Sequence, residues 1–196
     1  EPFRLVLSAE NTSFHGMGRE DIDVRCLGRG RPFVLEVKHP RVRRTDLEEV
    51  MKVVNSNGAD KIEISDLRWT NRSEVSRVKE TRAEKSYTIR FSVEEPPEES
   101  FIIESISKLS GVTLEQQTPK RVSHRRADLT RKRKVVSIDN VVVEDSEVQF
   151  SVRCEAGTYV KELVHSDEGR TVPSVAGVLG SPCEVIWLDV EDIHAD

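Results

Sequence analysis

Residues 18–30 read G-R-E-D-I-D-V-R-C-L-G-R-G and run on into Arg31, Pro32 and Phe33. Three glycines, three acids (Glu20, Asp21, Asp23) and three arginines (Arg19, Arg25, Arg29) crowd this stretch. It has no helical period, and the glycines at its ends punctuate a loop. A carboxylate held among guanidiniums, on a loop that leads into a strand, stays ionised and aimed. Such a group can serve as a nucleophile or as a base. By composition alone, a solvated charged turn fits the same residues.

A second concentration of charge lies at residues 117–134. There Lys120, Arg121, Arg125, Arg126, Arg131, Lys132, Arg133 and Lys134 face a single acid, Asp128, and the segment carries +7. The whole chain carries −5, so the remainder holds −12. Segregation of this kind is what an anion-binding arm on an acidic body shows, although charge alone equally describes a solvated run.

The elements that must position these residues follow from periodicity and turn chemistry. Alternation predicts a strand over 3–7, a second over 33–38 closed by Pro40, a third over 61–67 and a fourth over 84–93. In the fourth, Tyr87, Ile89, Phe91 and Val93 share a face. Leu47, Val50, Met51 and Val54 give the clearest helix, over 46–57, with Thr45 as its cap and Gly58 at its end. Residues 73–82 suit a short helix or an exposed connection, and 100–109 a further amphipathic helix ended by Gly111. A strand starts at 112–115, and two more at 135–143 and 148–155 pair across 144–147. A helix fits 158–165, another 169–179 with Thr171 as cap and Pro173 in its first turn, and a strand closes the chain at 185–190. The irregular interleaving gives an α+β fold around a mostly antiparallel sheet, read as one domain over 1–196.

The chain has 196 residues, 36% hydrophobic and 33% charged, which suits a soluble globular protein. A domain of this size buries roughly 70% of its unfolded surface and needs no disulfide or metal for stability. No apolar stretch approaches the roughly 20 residues of a transmembrane helix, and no signal peptide is visible. Cys26, Cys154 and Cys183 are odd in number, far apart and form no C-x-x-C pair, so neither a zinc site nor a disulfide framework is indicated. A reducing, cytoplasmic setting is expected, with no membrane partner.

Four stretches, in order, resemble one family. Residues 18–25 with 27–36 are similar to the catalytic-aspartate loop of the archaeal and eukaryotic tRNA pseudouridine synthase family that acts on uridines 54 and 55 of the TΨC arm. Residues 85–87 resemble its segment bearing the active-site tyrosine. Q-T-P-K-R-V-S-H-R-R-A-D at 117–128 resembles its basic thumb loop, and A-G-T-Y-V-K-E-L-V-H-S-D-E-G-R-T-V-P at 156–173 its third motif. The G-T-Y-V-K portion is also similar to the wider superfamily that modifies uridine 55 in bacteria.

The resemblance implies a pseudouridine synthase-like catalytic domain and an isomerisation: the uracil C–N glycosidic bond breaks, the base turns, and a C–C bond forms. No cofactor or metal is implied. Asp21 matches the essential aspartate, being the acid that directly follows G-R-x; Asp23 and Glu20 are expected to be structural or to touch RNA. Tyr87 matches the tyrosine that stacks on the target base and can take the C5 proton, against an ordinary core aromatic. Lys161 stands where the superfamily places a cation beside the aspartate, against an exposed helix lysine. Arg19 and Arg25 are expected to grip phosphate or brace the loop. The thumb residues Lys120, Arg121, His124, Arg125, Arg126, Arg131 and Arg133 are expected to hold the RNA backbone while the target uridine is flipped.

The expected partner is tRNA, with the protein acting as a monomer. The alternative is a tRNA-binding module or chaperone whose isomerase activity is weak or lost. Full-length family members carry a further N-terminal RNA-binding region with cysteine pairs for zinc. This sequence starts without a methionine at the catalytic domain and reads as a fragment of something longer.

Overall fold

A computed structural model describes residues 1–59 and 61–195, with the side chain of Arg125 outside the description. In chain order the elements are α1 (Pro2–Val6), β1 (Asn11–Gly16), β2 (Arg25–Cys26), β3 (Phe33–Lys38), α2 (Leu47–Asn57), α3 (Ser73–Glu80), β4 (Glu84–Val93), α4 (Glu99–Ser107) and β5 (Thr113–Gln117). A short 3-10 helix (Lys120–Arg125) follows, then β6 (Thr130–Glu144), β7 (Glu147–Cys154), α5 (Val160–His165), β8 (Thr171–Val172), α6 (Val175–Leu179) and β9 (Cys183–His194). The chain groups into two compact units: Glu1–Arg19 with Pro32–Thr81, and Glu20–Arg31 with Arg82–Asp196.

The first unit holds the antiparallel pair β1–β3, with Phe14 opposite Leu35, and the helices α1, α2 and α3. Phe14 and Phe33 stack at 5.3 Å between ring centroids. Asp46 caps α2, its side chain accepting from the backbone N–H of Glu48 and Glu49. The cap is therefore one residue beyond the Thr45 expected. Two strands expected from alternation are not strands. Residues 3–6 fall in α1 and Leu7 caps its end; Pro2 sits in the first turn and presets a helical φ. Residues 61–67 have alternation but no partner strand among the described residues. The Asn55 side chain of α2 instead takes up both backbone groups of Ile64, donating to its carbonyl at 3.0 Å and accepting from its N–H at 2.8 Å.

The second unit is a seven-stranded sheet in the order β2-β9-β4-β7-β6-β5-β8, antiparallel except for the β2–β9 pair. Every second residue of β4 is buried: Lys85, Tyr87, Ile89, Phe91 and Val93. Opposite them in β7 stand Cys154, Val152, Phe150 and Val148, all buried. Phe91 and Phe150 meet edge to face at 5.8 Å. Helix α4 packs on β6 and α5 on β9, with α6 touching both helices. Strand β6 is longer than the apolar pattern foretells, because Thr130–Lys134 pairs with β5 before Val135 onward pairs with β7. Four of the eight cations of the basic arm, Arg131 to Lys134, thus lie in the sheet. The expected helix over 169–179 is two elements: Thr171 and Val172 pair with β5, and Ser174, not Thr171, caps α6 by accepting from Gly177 N–H. Burial pushes the Cys154 and Cys183 thiols up to about 12 and about 11, so they pack as small apolar groups.

Candidate active site

The acidic loop, 20–31, is fastened to the second unit along its length. At its start Glu20 accepts from Lys85, buried in β4, and from Arg31 at 3.4 Å. At its end β2 runs parallel to β9, and Leu27 N–H donates to the Val190 carbonyl at 2.7 Å. Arg25 forks onto the buried carboxylate of Asp189, and Arg29 onto Asp192 at 3.0 and 2.7 Å. Gly28 has φ +57°, and a Cβ there would lie 2.1 Å from the Glu191 carbonyl oxygen. Only glycine lets the loop pass β9 so closely.

Between these anchors stands Asp21. Arg121 of the thumb donates through Nη1 to its Oδ2 at 2.6 Å, and Lys161 Nζ lies 4.0 Å from the same oxygen. The shorter contact of Lys161 is with Asp23, at 2.6 Å. That hydrogen bond, set against slight burial, holds the Asp23 carboxyl below the usual carboxylate range. Arg121 also grips Glu162 with Nε on Oε1 at 2.6 Å and Nη2 on Oε2 at 3.2 Å. Burial disfavours the Arg121 cation, but the hydrogen bond and charge of Glu162, followed by those of Asp21, outweigh it and raise its pKa.

Helix α5 brings Lys161 and Glu162 to this place, and β5 sets where α5 starts. The buried Gln116 side chain accepts from Tyr159 N–H at 2.9 Å and donates to the Tyr159 carbonyl at 3.0 Å, taking up both backbone groups of the residue that precedes the helix. The thumb is clamped at its root. Arg170 donates to the Thr118 carbonyl at 2.7 Å and pairs with Asp128, while Asp167 accepts from the Lys120 N–H at 2.9 Å.

Tyr87 lies on the inner face of β4, opposite Val152 and Val190 in the neighbouring strands. Burial, then the charge of Glu20, pushes its hydroxyl pKa up.

The residues expected to grip RNA divide by what they already hold. Lys120 pairs with Glu168, Arg121 with Asp21 and Glu162, and Arg25 with Asp189. Arg131 donates to Thr118 Oγ1 at 2.9 Å, and Arg133 to the Lys132 carbonyl at 2.7 Å. His124 and Arg126 are exposed, as is Arg19 in the first unit. The side chain of Arg125 lies outside the described residues. Sequence reasoning missed Gln116, Arg170 and Glu162. The signal for Glu162 was an acid inside the apolar run V-K-E-L-V, where burial demands a partner.

Comparison with known proteins gives a consistent picture. A family model described as "Pus10, C-terminal" matches residues 1–194. The chain is 47% identical over 194 residues to the tRNA pseudouridine synthase Pus10 of Methanothrix thermoacetophila, covering 98% of this chain and 42% of that protein. It is 44% identical over 188 residues to the protein of the same name from Thermoplasma acidophilum, covering 96% and 48%. The chain thus spans about half the length of the curated relatives it matches. Among solved structures, it is similar to a chain of a Cbf5-Nop10-Gar1 complex, with a TM-score of 0.59 and 21% identity over 97% of this chain and 43% of that one. An archaeal box H/ACA Nop10-Cbf5 complex gives 0.52 and 18%, over 98% and 42%. These likenesses concern the fold. With the family model covering nearly every residue, the chain belongs to the Pus10 C-terminal family.

Proposed function

We infer that this chain is the catalytic part of a tRNA pseudouridine synthase and isomerises uridine 54, uridine 55 or both in the TΨC arm. The reading is carried by one observation. Asp21, at the position of the family's catalytic aspartate, is held by Arg121 at 2.6 Å with Lys161 4.0 Å away, on a loop fastened at both ends. Arg121 holds Asp21 through Oδ2, and Lys161 adds its charge 4.0 Å from the same oxygen. A carboxylate fixed in this way can attack the ribose or the base, or take a proton, without reorganising as charge moves. The names of the relatives support tRNA as substrate.

The reaction balances within the nucleotide. The C1′–N1 bond breaks, C1′ bonds to C5, C5 gives up a proton and N1 gains one. Lys161 orients the loop through Asp23 and adds positive charge near Asp21. Tyr87 supplies a stacking ring and a hydroxyl for the C5 proton. The uridine reaches them only when flipped out of its stack, and exposed thumb cations such as Arg126 hold the backbone meanwhile. The protein works as a monomer in the cytoplasm.

Carbodiimide primer extension on unmodified tRNA incubated with the chain tests this. Wild type is expected to give a stop one nucleotide 3′ of position 54 or 55, and Asp21→Asn none, with the two binding tRNA alike because affinity comes chiefly from phosphate contacts. Turnover by Asp21→Asn within about tenfold of wild type would remove Asp21 from the chemistry, since a covalent or proton-transfer role is worth far more.

A further inference from the structure

Glu162 is a carboxylate with 1% of its side chain exposed, in the middle of α5. A buried charge of this kind is costly unless it is paired with good geometry. Arg121 provides that pairing at both oxygens, through Nε and Nη2. A guanidinium is planar and its donors are fixed with respect to one another. Once Nε and Nη2 are set on Glu162, the direction of Nη1 is set too, and Nη1 is the donor that meets Asp21.

The geometry assigns Glu162 the role of a positioning residue for Asp21, acting through Arg121. It does not touch the reacting atoms. It fixes a cation that would otherwise be one more mobile thumb arginine, free to follow a phosphate. Helix α5 then serves the acidic loop twice from adjacent positions. Lys161 reaches Asp23 and Asp21 directly, and Glu162 reaches Asp21 through a residue 41 positions earlier in the chain. The assignment rests on Asp21 being the catalytic carboxylate.

Four variants test it: Glu162→Gln, Arg121→Ala, Arg121→Ala with Glu162→Gln, and Arg121→Met with Glu162→Leu. Misplacing a catalytic group by an ångström costs on the order of 100-fold, so Glu162→Gln is expected to lower the single-turnover rate at saturating tRNA by about that factor. Its affinity for tRNA should stay within about twofold, because phosphate contacts are untouched. The Arg121→Ala, Glu162→Gln double variant should be no slower than Arg121→Ala alone, since Glu162 acts only through Arg121. Additive losses, or a loss in affinity with no loss in rate, would overturn the assignment. The Arg121→Met, Glu162→Leu pair replaces both charges by apolar groups and so keeps the fold where a lone buried charge would not. It should be as slow as Arg121→Ala, and a folded protein with wild-type rate would overturn the assignment.

Crystal structures of wild type and Glu162→Gln give a readout independent of turnover. Arg121 should meet Asp21 in the first and leave it in the second; Arg121 seated on Asp21 in both sinks the idea. A wild-type chain that forms no pseudouridine counts against the functional reading instead, and the displacement of Arg121 still decides this one.

Discussion

Tyr87 sits where its ring and its hydroxyl obey different demands. The ring fills the inner face of β4, while burial and the charge of Glu20 keep the hydroxyl protonated through the neutral range. Both influences favour the neutral phenol over the phenolate. Tyr87→Phe should fold like wild type and lose on the order of 100-fold or more in turnover, the usual worth of a positioned proton-transfer group. A rate within tenfold of wild type would take the proton away from Tyr87 and leave its ring to stacking or to the core. Asp23 offers a pH test. Its folded pKa lies below the unfolded value of about 4. Its stabilising contribution is therefore complete above that value and is lost as pH falls through the folded pKa. The side chain is 62% exposed, so the effect is small. Asp23→Asn should lower Tm slightly at neutral pH, match wild type in acid, and so flatten the fall in Tm below about pH 4; an unchanged acid slope would mean that Lys161 does not favour the charged form.

At the scale of elements, β2 is only two residues long, yet it fixes the exit of the acidic loop. Its hold depends on Gly28, where positive φ and the Glu191 carbonyl both exclude a Cβ. Gly28→Ala should cost about 2 kcal/mol or more, from left-handed strain and displaced backbone together. Urea denaturation measures that loss, and turnover should fall with it because Asp21 is carried on the same loop. A stability within 0.5 kcal/mol of wild type, about the limit for innocuous surface changes, would show that the loop has room to yield.

Over the whole molecule, charge is segregated, with +7 at 117–134 against −12 elsewhere. Not all of that positive charge is available for RNA. Arg126 is exposed, whereas Arg131 braces Thr118 at the thumb root. Arg126→Ala should lower the salt slope of tRNA binding by about 0.7 to 0.9, one phosphate's worth, and leave stability alone. Arg131→Ala should instead lower the melting temperature, with a slope change well short of that. Titrating labelled tRNA across a salt series, with thermal melts alongside, separates the two. Equal slopes for Arg126→Ala and wild type would mean that Arg126 meets no phosphate.

Local patterns were sufficient for whatever depends on neighbours along the chain. The alternation of β4, the apolar stripe of α2 and the β6–β7 pair follow from periods of two and of 3.6. The acidic loop and the basic arm stand out by residue type alone. Residues 3–7 and 61–67 show the limit of such patterns, because alternation makes a strand only where another strand supplies the hydrogen bonds. The tertiary structure decided which charges meet. Arg121 and Asp21 are 100 residues apart, and Arg25 and Asp189 164. An arginine in a basic run reads as a phosphate ligand until the fold sets a buried carboxylate against it. Glu162 does so because α5 turns that residue inward, where a charge cannot stay unpaired.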